Sequence, residues 1–218
     1  MTTLKKFIPV LMFASLFKLL GCTGQAKQSD NRVKADTLNK QIGKSIEDFN
    51  NRPIYKILTT QTIDTTSDNN LLQTVFDNLV EKCPQDYTKE YQTVLGWTKS
   101  QQAIFIIWLL ESEVNNGGYN QFYYNSSGQY AELATGALKL IGALKLADLT
   151  SRANQIYKKD KEKITKYQDG TSEGFSKSYD DNPLDKFDDE FYDLEKKENL
   201  QKLQVNFIRN HKQDFIDK

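Results

Sequence analysis

Hydrophobic positions along the 218-residue chain recur at helical intervals. Leu71, Leu72, Val75, Phe76, Leu79 and Val80 follow the i, i+3, i+4, i+7, i+8 spacing of one apolar helix face. Pro84 ends that helix, because proline cannot continue the hydrogen-bond ladder. Thr98 to Gln101, TKSQ, has capping-box spacing and opens the next helix. Its middle, Ile104 to Leu110, is apolar all round, which places it at the centre of a domain. Running to Asn115 or Asn116, it is about 25 Å long at ~1.5 Å per residue. Leu133, Ala137, Leu140, Ile141, Leu144 and Leu149 mark the apolar face of two further helices, with Gly142 at the break between them. A last helical part runs from Pro183, suited to a first turn, towards Phe215. Leu184, Phe187, Phe191, Leu194, Leu200, Leu203, Phe207 and Ile208 supply its apolar face. No segment alternates as a strand, and no internal repeat is visible. The predicted fold class is all-α: a compact multi-helix domain around a buried central helix.

The polar stretches divide the chain. Residues 23–36, TGQAKQSDNRVKAD, lack aromatics and read as a flexible tether. Leu38, Ile42, Ile46 and Phe49 predict a short helix at 37–50. TTQTIDTTSDNN, 59–70, reads as a connector and DGTSEG, 169–174, as a loop. The compact domain is expected from about residue 70 onward. Hydrophobic residues make up only 38 % of the chain, which fits polar extensions beside a packed part.

The N-terminus changes this picture most. MTTLKKFIPVLMFASLFKLLGC has a basic start at Lys5 and Lys6 and an apolar run from Phe7 to Phe17, with Gly21 before Cys22. The run is too short to span a bilayer and suits a secretion signal. LLGC, Leu19 to Cys22, resembles the lipobox of bacterial lipoproteins. In that class the cut falls before the cysteine, whose sulfur is linked to diacylglycerol. The expected organisation is a signal peptide at 1–21, a lipid anchor and tether at 22–69 with Cys22 lipidated, and a helical domain at 70–218. The expected location is the cell membrane or outer membrane, facing the periplasm or exterior. Cys83, the other of two cysteines, then has no partner. At helical apolar spacing it reads as a buried thiol acting as a small hydrophobe.

Charge excludes one large class. The chain carries 29 basic and 29 acidic residues. Without residues 1–21, which hold Lys5, Lys6 and Lys18 and no acid, the balance is 26 basic to 29 acidic. A nucleic-acid binder has a basic footprint instead. Acids do gather in DDNPLDKFDDEFYDLEKKE, 180–198, with Asp185, Asp188, Asp189 and Glu190 as the candidate patch. The patch is either a negative face for a basic partner or acids favoured by a helix N-terminus.

The most unusual stretch is ESEVNNGGYNQFYYNSSG, 111–128. Gly117 is expected to end the central helix, because glycine enters the left-handed region without steric cost. Tyr119, Phe122, Tyr123 and Tyr124 make the following segment too aromatic for a free loop. Buried tyrosine hydroxyls need partners, and Asn116, Asn120, Gln121 and Asn125 are placed to supply them. The other reading is a polar-aromatic pocket whose amides bind a ligand or peptide. WLLESEVNNGGYNQFYYNSSGQYAELATGALKLIGA, 108–143, resembles the signature of the DUF4375 family, which includes a small bacterial DNA-mimic protein. The resemblance is carried by Glu111, Glu113, Asn116, Gly117, Gly118, Tyr119, Gln121, Phe122, Asn125, Ser126, Gly128, Ile141, Gly142 and Ala143, and extends over about residues 85–200. It implies an all-α domain and no established catalysis.

Catalytic constellations are not visible. His211 is the single histidine, so no triad or histidine metal cluster can be built. No phosphate-binding glycine motif is present. Glu111 and Glu113 form the one candidate acid pair, but two residues apart on a helix they point roughly 200° from each other. The expectation is a non-enzymatic protein- or peptide-binding lipoprotein. Its contact residues are Glu111, Glu113, Asn116, Gly117, Gly118, Tyr119, Asn120, Gln121, Phe122, Asn125 and Ser126. No cofactor, metal or direct nucleic-acid contact is expected, and the membrane is reached through the anchor. Two other readings stay open: an acidic-surface DNA mimic or inhibitor of a basic partner, and a hydrolase or sugar-binding domain with Glu111 or Glu113 at a pocket.

Overall fold

The computed structural model describes residues 28–180 and 182–217. The expected signal peptide, Cys22 and residues 23–27 of the expected tether lie outside this range. Eleven α-helices and several short 3-10 turns are present, with no strand among the described residues. The chain divides into two units at Ile54.

Within the first unit, α1 spans Gln28–Asn50. It starts well before the predicted position near residue 37 and takes in much of the stretch read as tether. No proline or glycine interrupts Gln28 to Ile42, so nothing in the sequence blocks backward extension. Phe49 receives the Arg52 guanidinium 3.6 Å above its ring.

The second unit begins at Tyr55, earlier than the predicted start near residue 70. Helix α2, Thr60–Thr65, lies where a connector was predicted; the Thr59 hydroxyl caps it by accepting from Thr62 N–H. Threonine favours such caps, and buried Ile63 fixes the turn to the core. Helix α3, Asp68–Glu81, buries Leu71, Leu72, Val75, Phe76 and Leu79 as the periodicity predicts. Helix α4, Glu90–Leu95, is a single short element. The long α5, Lys99–Tyr124, starts at the predicted capping box, with both reciprocal bonds made between Thr98 and Gln101. Ala103 to Ile107 and Leu110 are buried, so α5 is the axis of the domain. Phe76 stacks on Trp108 and Phe105 at 4.4 and 5.7 Å, joining α3 to α5.

Helices α6, Ala131–Leu140, and α7, Leu144–Lys159, form the predicted pair. Gly142 has φ +87° at the break, a region that L side chains rarely enter. Leu140 and Leu144, placed by the sequence on the apolar face, are instead 47 % and 63 % exposed at the turn. Helices α8, Lys161–Thr165, and α9, Ser172–Lys177, follow. The predicted loop at 169–174 therefore closes early, where the Thr171 hydroxyl caps α9 through Gly174 N–H. The last helical part divides into α10, Asp188–Glu198, and α11, Leu200–Asn210. Asn199 between them is left-handed at φ +50°, a conformation asparagine tolerates better than most residues. Helix α5 packs against α3, α6 and α10; α7 packs against α6 and α10; α11 packs against α3.

Candidate functional site

The Asn-Gly-Gly segment does not end α5. The helix breaks at Gly117 and Gly118 and restarts at Tyr119, continuing to Tyr124. Gly118 holds φ +74°, and a side chain there would run into the Asp188 carboxylate. That carboxylate accepts the Tyr119 N–H at 2.8 Å. It thus acts as the N-cap of the restarted turn, delivered from another helix. Carbonyls beside the break are also met from outside: Tyr192 donates to Val114 O at 3.0 Å and Tyr179 to Gly117 O at 2.8 Å.

The amides after the break turn inward. Glu113 accepts from Gln121 Nε2 at 2.7 Å, Asn125 Nδ2 at 2.8 Å and Ser127 Oγ at 3.0 Å. Asn116 donates to Gln121 Oε1 at 2.9 Å. Asn120 donates to Ser178 Oγ at 2.7 Å and accepts from Asn182 at 2.6 Å. Tyr119 and Phe122 are fully buried. The sequence predicts that these amides partner the tyrosine hydroxyls; the buried hydroxyls instead reach across to α7. Tyr119 pairs with Thr150 Oγ1 at 2.8 Å, and Tyr123 donates to Asn154 Oδ1 at 2.6 Å, both on α7. Burial raises both phenols well above their ordinary value, so both stay protonated. Of the expected contact residues beyond the break, only Ser126 is exposed, and before it Asn116. The stretch read as a binding wall is largely an internal junction of α5, α7, α9 and α10.

The two acids of the candidate pair face different helices. Glu113 holds the network above, while Glu111 accepts from Gln204 of α11 at 3.2 Å. The acidic patch is likewise divided. Asp185 and Asp189 are exposed. Asp188 is half-buried under the glycine break, and burial pushes its carboxyl up to about 6, the Tyr119 N–H opposing this and Asp185 and Asp189 adding to it. Glu190 forms a two-pronged ion pair with Arg152, whose Nε also meets Asp148 at 2.9 Å. A single continuous negative face is therefore not formed by these four residues.

Between α7 and the start of α10 lies a groove of about 410 Å³ lined by Arg152, Gln155, Ile156, Lys186, Phe187 and Glu190. The Phe187 ring is its apolar base, with Arg152 Cζ 5.7 Å and Lys186 Nζ 5.2 Å from the ring centre. Sequence reasoning missed it because its two walls are at least 30 residues apart. The i, i+4 pair Arg152 and Ile156 marks one wall, but no local motif names the other. Cys83 is half-buried rather than buried as the sequence predicts; burial, then the nearby Glu90, still pushes its thiol up to about 12, which keeps it from acting as a thiolate. Among the described residues no group of three or more His, Cys, Asp or Glu side chains is placed to hold a metal ion.

A family model described as DMP19-like protein matches residues 96–211, just over half of the chain. The chain belongs to the DMP19-like protein family. The DMP19-like region opens at Gly96, just before α5, and closes at His211, just after α11. It therefore contains the glycine break, its amide network, the Asp188 cap and the α7–α10 groove. No curated protein and no solved structure matches the chain.

Proposed function

We propose that the chain is an envelope-anchored lipoprotein whose DMP19-like domain binds a protein or peptide segment through the α7–α10 groove. The observation that carries the binding reading is the groove itself. It is an open groove of about 410 Å³, suited to a side chain of a larger partner, with Ile156 and the edge of the Phe187 ring as apolar contact between two cations and one acid. An apolar side chain flanked by a carboxylate matches that lining, with Lys186 free of any ion pair among the described residues and Arg152 already fixed by Glu190. The location is supported by the lipobox-like leader ending at Cys22 and by its apolar run, too short to span. Among the described residues no helix is long and apolar enough to cross a membrane.

Binding is favoured over catalysis because Glu113 is saturated by three neutral donors and Glu111 turns to α11. The acidic-decoy alternative is weakened because Asp188 and Glu190 are committed to internal partners. The test is a photoreactive residue placed at exposed Gln155 and, separately, at Asn116 and Ser126 in the full chain in cells. A discrete protein adduct from position 155, lost on Lys186→Glu, is the expected result. Adducts from 116 or 126 with none from 155 would return the site to the glycine break.

A further inference from the structure

One end of the domain combines a locked helix–helix turn with exposed leucines and lysines. The α6–α7 turn is held rigidly: Gly142 N–H reaches Lys139 O at 3.1 Å and Ala143 N–H reaches Leu138 O at 2.9 Å. Both oxygens of Glu198, the last residue of α10, accept from Lys145 and Leu146 N–H at 2.9 and 3.0 Å. Those bonds cap α7 and bring the end of α10 to the same turn. On that locked turn Leu140 and Leu144 stand 47 % and 63 % exposed. Lys139 and Lys145, which adjoin them in sequence, and Lys196 and Lys197, two and one residues before the capping Glu198, are all exposed. Of the acids on the adjoining turns, Glu198 is engaged in the cap, Asp148 pairs with Arg152 at 2.9 Å and Asp193 lies 4.0 Å from Lys197, while Glu195 stands beside Lys196 in sequence. Lys139, Lys145 and Lys196 have no ion-pair partner among the described residues.

Rigid apolar side chains at helix ends, ringed by lysines on long flexible stems, have the chemistry of a membrane-contacting surface. Basic residues near an anionic leaflet gain from its surface potential, and leucines gain by leaving water. A fluid anionic surface suits such spread charge better than a fixed protein partner, which would need a shaped recess. We infer that this leucine–lysine end of the domain rests on an anionic lipid surface, with Leu140 and Leu144 dipping among headgroups whose phosphates meet the lysines. The inference draws on the proposed anchoring for the nearness of a leaflet, and it sets which way the domain faces once there.

The test uses the full chain carrying one environment-sensitive fluorescent amino acid, introduced by codon suppression so that no cysteine is labelled, at Gln201, four residues after Lys197, or at Lys159 at the other end of α7, about 20 Å from Lys145 along the helix. Vesicles of phosphatidylethanolamine and phosphatidylglycerol carry a nitroxide-labelled lipid as quencher. Strong quenching at 201 and weak quenching at 159 is expected. Leu140→Ser with Leu144→Ser, or Lys139→Glu with Lys145→Glu, should lower the 201 signal to the level seen at 159. Equal quenching at both positions, or a 201 signal untouched by the leucine pair, overturns the inference. So does absent quenching at 201 in a chain whose capture of another protein requires Lys139 and Lys145, since the occupant is then an acidic protein. Palmitate incorporation, measured on the same samples, reports the anchor separately. Quenching at 201 without palmitate removes only the anchor, and palmitate without quenching removes only the lipid-facing end.

Discussion

Replacing Asp188 separates two effects that one carboxylate combines. It caps Tyr119 N–H across the glycine break, and it is ionised at neutral pH in a half-buried place. Its carboxyl sits at about 6 against an ordinary 3.8. The folded state therefore holds the proton more tightly than the unfolded chain. The stability this group contributes is fully present below about pH 4 and is lost as pH rises through about 6. At ~1.4 kcal/mol per pH unit the interval corresponds to about 3 kcal/mol for a fully buried group. Solvent contact at this half-buried site screens that to about 1–2 kcal/mol. Asp188→Asn keeps an oxygen for Tyr119 N–H and never ionises. It should raise stability at neutral pH by about 1 kcal/mol and flatten the slope between about pH 4 and pH 7. Asp188→Ala leaves the Tyr119 N–H without a partner and should be about 1–3 kcal/mol less stable than the asparagine variant. Urea unfolding followed by the fluorescence of Trp97 and Trp108, repeated across that pH range, measures both. The reasoning is refuted if Asp188→Asn is less stable than the unaltered chain at neutral pH, or if the slope survives it.

Other substitutions test neighbouring parts of the account. Gly118→Ala should cost about 3 kcal/mol or more, from the left-handed backbone and the Asp188 carboxylate together, whereas Gly142→Ala, with open space at its Cβ, should cost only about 1–2 kcal/mol; urea melts of the two decide. Glu113→Ala should destabilise by about 2 kcal/mol by orphaning the Gln121, Asn125 and Ser127 donors, while Glu113→Gln, which keeps one acceptor, should cost about half as much. Glu198→Ala should lower stability by about 1 kcal/mol through loss of the α7 cap and increase amide exchange at Lys145 and Leu146. Cys22→Ala should abolish palmitate labelling of the chain and release it from the membrane fraction.

Much of the fold is legible because its signals are local. The capping box at Thr98, the apolar core of α5 and the glycine break at 142 each depend on residues within one or two turns. The restart at Tyr119 is not local: its cap comes from Asp188, 69 residues on, so a glycine pair there reads as an ending. The tyrosine partners had a signal that went unused. Tyr119 and Tyr123 are spaced i, i+4, as are Thr150 and Asn154, and each pair is separated by 31 residues. That matched spacing is what two helices running side by side require. The groove and the leucine–lysine end are assembled from elements distant in sequence, where composition alone shows only a basic tract and a polar helix. Asparagine at 199 hid a second break, because its neighbours keep helical spacing on both sides.

The chemical state of Cys22 tests the proposed location most directly, and with it the setting in which a groove ligand would be met. Intact mass and N-terminal peptide mass spectrometry on the chain purified from its own membranes reads that state. The expected result is a mature chain that begins at Cys22 and carries a diacylglyceryl thioether on its sulfur. A chain that retains Met1 and an unmodified Cys22 thiol, recovered without detergent, would contradict the proposal.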